Sequence, residues 1–280
     1  EKDSLNFIRH LIKYFKDDRY IKIDGKPLLI IYRANIIPNI RETAGLWRQE
    51  AKREGFPDIY LVAAQTFGIK SPEPFGFDAS MQFPPHTISS SEITKQMDLI
   101  NHQYSGHIYS YEEVVANAIK DAEPPYKLFR TAMLSWDNTA RKQNASHIFH
   151  GFSLLRYRQW LSSLINKSVI NEKYSDQERF VFVNAWNEWA EGTHLEPDQK
   201  YGYGYLQATY DAISEYDKKN RSSLEVKCKK ISDADCALII HSHYVDVLPE
   251  IKSKTLSAFD GIPCDVFITV TSSEHIEQAK

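Results

Sequence analysis

Glu188 and Glu191 stand three residues apart in the segment FVNAWNEWAEGTHLEPD, which runs from Phe182 to Asp198. An apolar run ends there, and two carboxylates follow among Trp186 and Trp189. On a helical turn, residues at that spacing share a face, with Cβ atoms about 5–6 Å apart. Such a pair can divide labour. One carboxyl, raised in pKa by apolar rings or by its neighbour's charge, donates a proton, while the other stays ionised and accepts one. Glycosidic-bond chemistry calls for such a pair around an oxocarbenium-like state, and indole rings can stack on a sugar face. A second reading of the same residues is structural: both glutamates open a helix and complement its dipole. Spacing alone does not choose between them.

The elements that must position this segment follow from periodicity. Residues 5–17 place Leu5, Ile8, Leu11, Ile12 and Phe15 on one stripe, which predicts an amphipathic helix. Asp24-Gly25 before Pro27 predicts a turn. Short, continuously apolar runs at 28–33 and 59–65 predict strands buried on both faces. A weaker strand is expected at 77–84, further strands at 127–134 and 179–186, and helices at 40–54, 111–121, 152–167 and 203–216. The stretch 86–110 reads as polar and irregular. Five strands mostly separated by helices imply a parallel α/β sheet with right-handed crossovers. A doubly wound sheet would need five or six strands; a (β/α)8 barrel would need eight, about three more than are seen. Residues 217–234 read as a charged linker. CALIIHSHY (236–244) starts a fresh buried strand, followed by a helix near 247–259 and CDVFITVT (264–271), the opening β-α-β of a second α/β domain.

In parallel α/β folds, chemistry gathers at the carboxyl ends of the strands. Each predicted strand is followed by polar or aromatic side chains: Tyr32 and Arg33; Gln65; His86; Trp136, Asp137 and Asn138; Trp186, Asn187, Glu188, Trp189 and Glu191. That convergence predicts a polar rim. For Asp137 an Asx-turn competes with a direct role. His194 is a candidate lining residue, whereas Glu196 and Asp198 read as loop caps or solvated charges. His147 and His150 lack a third ligand at motif spacing, so no metal site is expected, and no organic cofactor. His241 and His243 follow the strand of the second domain.

Bulk properties exclude several classes. The chain has 280 residues and a net charge of −3, with no sustained basic face for nucleic acid. No apolar run is long enough to span a bilayer. Three cysteines, at 228, 236 and 264, form neither a disulfide framework nor a zinc motif, so a cytoplasmic location is expected, peripheral to the inner membrane at most. There is no GxGxxG, GxxxxGK[ST] or GxSxG motif. The chain does not begin with Met and reads as cut from a longer protein, whose other domains would be its partners. Aromatics make up 12% of residues, a level met in sugar-handling clefts and in plain aromatic cores alike.

Five ordered blocks, YFKDDRYIKIDGKPLLIIYR, YLVAAQTFG, GFDASMQFPPH, SWDNTAR and FVNAWNEWAEGTHLEPDQKYGYGYLQA, resemble the WbsX-type glycosyltransferases, also described as glycoside hydrolase family 99-like domains. The likeness covers about residues 3–216. It implies a (β/α)8 TIM barrel, truncated here at its N-terminus to about five C-terminal strands. It implies an enzyme that forms or cleaves glycosidic bonds in bacterial surface-polysaccharide synthesis, acting on a glycan with a lipid-linked or nucleotide-sugar donor. An α-mannoside hydrolase and an inactive carbohydrate-binding barrel are the alternatives. Family 99 hydrolases carry a similar WNEW-x-EG string. Carried over, Glu188 would take the proton of the sugar's own 2-hydroxyl, which closes an anhydro sugar, and Glu191 would protonate the leaving oxygen. Ala190 departs from the hydrolases, which tend to have His there. From residue 236 on, the chain resembles the start of a rhamnan synthesis protein F domain.

Overall fold

The computed structural model describes residues 2–221, 236–242 and 264–270. It divides into two units, residues 1–221 and 222–280.

The first unit runs α1 (Lys2–Phe15), β1 (Lys22–Ile23), β2 (Lys26–Ile31), α2 (Ile40–Arg53), β3 (Tyr60–Gln65), β4 (Ala79–Gln82), β5 (His107–Ser110), α3 (Tyr111–Lys120), β6 (Leu128–Met133), α4 (Thr139–Lys142), β7 (His147–His150), α5 (Leu154–Ile170), β8 (Val181–Asn184), β9 (Asn187–Glu188), β10 (Thr193–His194) and α6 (Gly204–Arg221). The main sheet has the order β1-β2-β3-β4-β6-β8 and curls as a half-barrel. β2, β3, β4, β6 and β8 are parallel neighbours, and β1 joins β2 as an antiparallel hairpin through the Asp24-Gly25 turn. All five expected strands are therefore present and parallel.

Strand alternation sorts the side chains into two faces. Leu61 and Ala63 of β3 pack with Ile8, Ile12 and Phe15 of α1 and Trp47 of α2. Ala132 of β6 and the β8 valines pack with Val114 of α3, Trp160 and Leu164 of α5 and Ala208 of α6. The alternate residues Tyr60, Val62 and Ala64 of β3, Met81 of β4, Phe129 of β6 and Phe182 of β8 form a third cluster on the opposite face. The long helices thus cover one face. A doubly wound sheet would carry helices on both.

One expectation needs correction. Residues 86–110 are not irregular throughout, because β5 pairs in parallel with β7 in a separate small sheet, from His107 opposite His147 to Ser110 opposite His150. Ser110 then caps α3, its side chain accepting from the Glu113 N–H.

In the second unit, β11 (Cys236–Ser242) and β12 (Cys264–Val270) are parallel and in register from Cys236 opposite Cys264 to Ser242 opposite Val270. His241 lies in β11. His243, the helix expected near 247–259 and most of the expected linker lie outside the described residues. No helix among the described residues is long and apolar enough to cross a membrane.

Candidate active site

Glu188 and Glu191 do not open an α-helix. Glu188 is in β9 and faces Thr193 of β10; between the two strands Trp189–Glu191 make a single 3-10 turn. Gly192 ends that turn in the left-handed region at φ +65°. A Cβ there would meet the Asp137 carbonyl oxygen at 2.9 Å and its nitrogen at 3.0 Å. Only glycine lets the hairpin lie this close to the chain leaving β6. The dipole reading loses its helix: α6 starts at Gly204.

The hairpin is tied to two strand ends. Asp137 donates its N–H to the Glu191 carbonyl (2.9 Å), and the Ser135 hydroxyl donates to the Gly192 carbonyl (2.6 Å). On the β8 side the Thr193 hydroxyl donates to the Asn184 carbonyl (2.6 Å), and Leu195 N–H reaches the Ala185 and Trp186 carbonyls. The Asn184–Ala185 peptide is cis.

The LEPD residues fasten the hairpin's aromatic side. The Trp189 indole N–H donates to Glu196 Oε2 (2.6 Å), and the Trp189 ring stacks on His194 with centroids 3.8 Å apart. His194 is buried, and its Nε2 lies 3.2 Å from Asp198 Oδ2. Burial of Asp198 would raise its pKa, but the Tyr201 N–H and His194 outweigh it and hold the carboxyl below its ordinary value. Glu196 and Asp198, read from sequence as caps or solvated charges, are thus the posts that fix Trp189 and His194.

Arg141, at the end of the short helix α4, forms an ion pair with Glu191. The Glu191 carboxyl nonetheless sits above its ordinary pKa. Burial is the largest cause; Arg141 pulls the other way, and the Glu188 charge adds to the rise. The Glu188 charge therefore acts on Glu191, whose carboxyl holds a proton more readily than an ordinary glutamate. Glu188 is exposed, as are Asn187 and Trp186. Arg141 was not singled out in the sequence, where nothing in SWDNTAR separates it from a solvated arginine.

The other candidates divide. Trp136 is buried in the core, its indole N–H unpartnered among the described residues. Asp137 makes the Asx-turn, accepting the Thr139 N–H at 2.9 Å. Asn138 is buried and accepts the His147 N–H at 2.8 Å, joining the β6 end to β7. Gln65 is also buried, its amide donating to the Lys70 carbonyl (2.7 Å) and reaching the Tyr126 hydroxyl. Trp136, Asn138 and Gln65 are thus buried behind the strand ends, whereas Asp137 is exposed.

Tyr32, Arg33 and His86 gather with Phe67 and Phe83 at the ends of β2, β3 and β4. The Tyr32 hydroxyl lies 3.4 Å from His86 Nε2, and its ring meets Phe67 and Phe83 edge-on. Desolvation lowers the His86 pKa. The Asn184 amide donates to the Pro84 carbonyl at 2.9 Å, so the loop carrying His86 is joined to the end of β8. Contacts thus run unbroken along the carboxyl edge, from Tyr32 through His86 and Asn184 to the Glu188–Glu191 hairpin. Among the described residues, no group of His, Cys, Asp and Glu is arranged to hold a metal.

Comparison with known proteins gives a consistent picture. Two proteins from strains of Xanthomonas campestris pv. campestris, each named "Uncharacterized protein WxcX", are 32% identical over 278 residues. The match takes in 99% of this chain but 38% of theirs, so the chain spans well under half the length of these relatives. No solved structure matches. Residues 1–209, which contain all five parallel strands, the carboxylate hairpin and its Glu196 and Asp198 posts, match the family described as Glycosyltransferase WbsX, and the chain belongs to that family.

Proposed function

We propose that this chain carries the carboxylate half of a barrel active site that builds or remodels glycosidic bonds in surface-polysaccharide synthesis, with Glu191 as general acid and Glu188 as general base. The observation that carries it is the hairpin itself. It holds two electrostatically coupled carboxyls at the carboxyl edge of a parallel sheet, with Glu191 biased toward its protonated form. Exposed Trp186 and Trp189 beside them supply sugar-stacking faces.

Glu191 gives its proton to the leaving glycosidic oxygen as the anomeric bond breaks. Glu188 takes the proton of the attacking hydroxyl, which likeness to family 99 makes the donor sugar's own 2-hydroxyl. An acceptor hydroxyl then opens the anhydro sugar, losing its proton to Glu191, while Glu188 returns a proton to the 2-oxygen. A sugar acceptor gives transfer and water gives hydrolysis.

Helices on one face of a parallel sheet favour the eight-stranded barrel over a doubly wound fold. The second unit fits a rhamnan synthesis protein F-like α/β domain working in the same assembly, and the cytoplasmic face of the inner membrane is where such work would be done.

Glu188→Gln and Glu191→Gln, assayed for transfer from nucleotide-sugar or lipid-linked donors and for hydrolysis of α-mannosides, should each lose roughly 100- to 10,000-fold in kcat/KM. Full activity in both would sink the assignment of these two carboxylates, whereas binding of glycan without any turnover by the unaltered chain would leave a carbohydrate-binding barrel as the reading.

A further inference from the structure

Arg33 follows β2 at the carboxyl edge and has an unusual setting. Its guanidinium lies over the Phe67 ring, 4.3 Å from the centroid. It makes no ion pair or hydrogen bond through its side chain to any described residue, and its Nε is fully shielded from water without a partner. Buried guanidinium N–H groups are normally satisfied, and an orphan of this kind marks either a cost or a ligand.

Phe67 is held there deliberately. It is 53% exposed and sits at φ +47°, a left-handed conformation uncommon for a bulky residue, next to Gly68 at φ +86°. The Thr66 hydroxyl, donating to the Tyr32 carbonyl, pins this turn against the end of β2. Strain retained at an exposed aromatic is typical of ligand platforms. The His86 ring centroid lies 4.9 Å from that of Phe67, and His86 and Gly68 line a neighbouring pocket of about 360 Å³ together with Lys70, Gln82 and Asp121, so there is room beside the platform.

We propose that Arg33, on the Phe67 platform, is an oxyanion subsite that selects a sugar ligand bearing a phosphate or a carboxylate. The unpaired fork of N–H donors matches either group bidentately, and the rings of Phe67 and Tyr32 take the sugar face. This deepens the proposed glycosyl-processing reading, but the anion preference stands on Arg33 and does not depend on which carboxylate moves the proton.

The test measures binding by the full chain of uridine diphosphate, a glucuronate-terminated disaccharide and its glucose-terminated counterpart. One or both anionic probes should bind more tightly than the neutral one, and raising ionic strength should weaken the anions alone. Arg33→Gln should cost the preferred anion about 10- to 100-fold in affinity with the neutral probe unchanged, and Arg33→Lys should recover part of the loss. Preference for the diphosphate would locate the charge on a donor, and preference for the glucuronate on an acidic glycan; both support the subsite. Equal binding of all three probes by the unaltered chain overturns it, as does an Arg33→Gln chain that keeps its anion preference or weakens all probes alike. Should Arg33→Gln fold poorly, Arg33→Lys carries the same comparison: it keeps the charge but loses the fork, and should weaken the preferred anion while leaving the neutral probe unchanged. Glu191→Gln should keep the anion preference while losing turnover. A chain that keeps turnover in Glu191→Gln and still prefers anions removes the catalytic assignment and leaves this one.

Discussion

Arg141 and Glu188 pull the Glu191 carboxyl in opposite directions. Burial raises its pKa, the neighbouring carboxylate raises it further, and the guanidinium lowers it. A general acid works only while protonated, so its rate falls as pH rises through that pKa. Removing Arg141 takes away an attraction for the charged form alone. In Arg141→Gln the alkaline limb of kcat/KM should therefore move to higher pH, while Arg141→Lys should hold it nearer its original place. An unchanged limb in Arg141→Gln would show that Glu191 does not set it. Of these residues the sequence exposed the two glutamates and the tryptophans, because carboxylates next to rings at a strand end are conspicuous. It could not expose Arg141. Its partner lies fifty residues away, and only the packing of α4 against the hairpin brings the charges together.

At the scale of elements, the five parallel strands of the main sheet were legible because their apolar runs are bounded by Gly, Pro or charged turns, whereas the two-residue β1 was not. β9 and β10 were not. Each is two residues long, with no alternation to read. Glu188 and Glu191 at a spacing of three looked like a helix start; the decision belongs to Gly192, whose left-handed backbone reverses the chain after one 3-10 turn. β5 and β7 escaped notice similarly, as four-residue strands that leave their histidines exposed. This makes Gly192→Ala the sharpest test of the hairpin. The left-handed conformation alone costs a side chain about 1–2 kcal/mol, and the added methyl also meets backbone of Asp137, which cannot swing away as a flexible side chain would. The hairpin should shift by a few tenths of an ångström or more. The variant should stay folded, melt lower, and lose activity by roughly tenfold or more, since small misplacements of reacting groups are costly. Activity equal to the parent would mean that the hairpin's seat against β6 does not position the carboxylates.

Across the first unit, burial is uneven in a telling way. Every residue of β3 and β6 is buried, whereas all four residues of β8 are half-buried. β8 ends the sheet order, so its outer backbone groups have no strand partner among the described residues. Phe180 and Phe182 lie on the face that carries no long helix, only partly covered. An apolar, unpaired edge is a template for pairing with another chain, and β8 (VFVN) carries no charge and no proline to blunt it. The same edge adjoins the carboxylate hairpin through Asn184 and Thr193, so whatever completes it also sets how open the site is. Residues 1–221 expressed alone should therefore bind an apolar dye, self-associate as concentration rises, and melt broadly. A sharp, concentration-independent melt of a monomer would show that the half-barrel is sufficient by itself, and would remove the free edge as a reason to expect further strands beside β8.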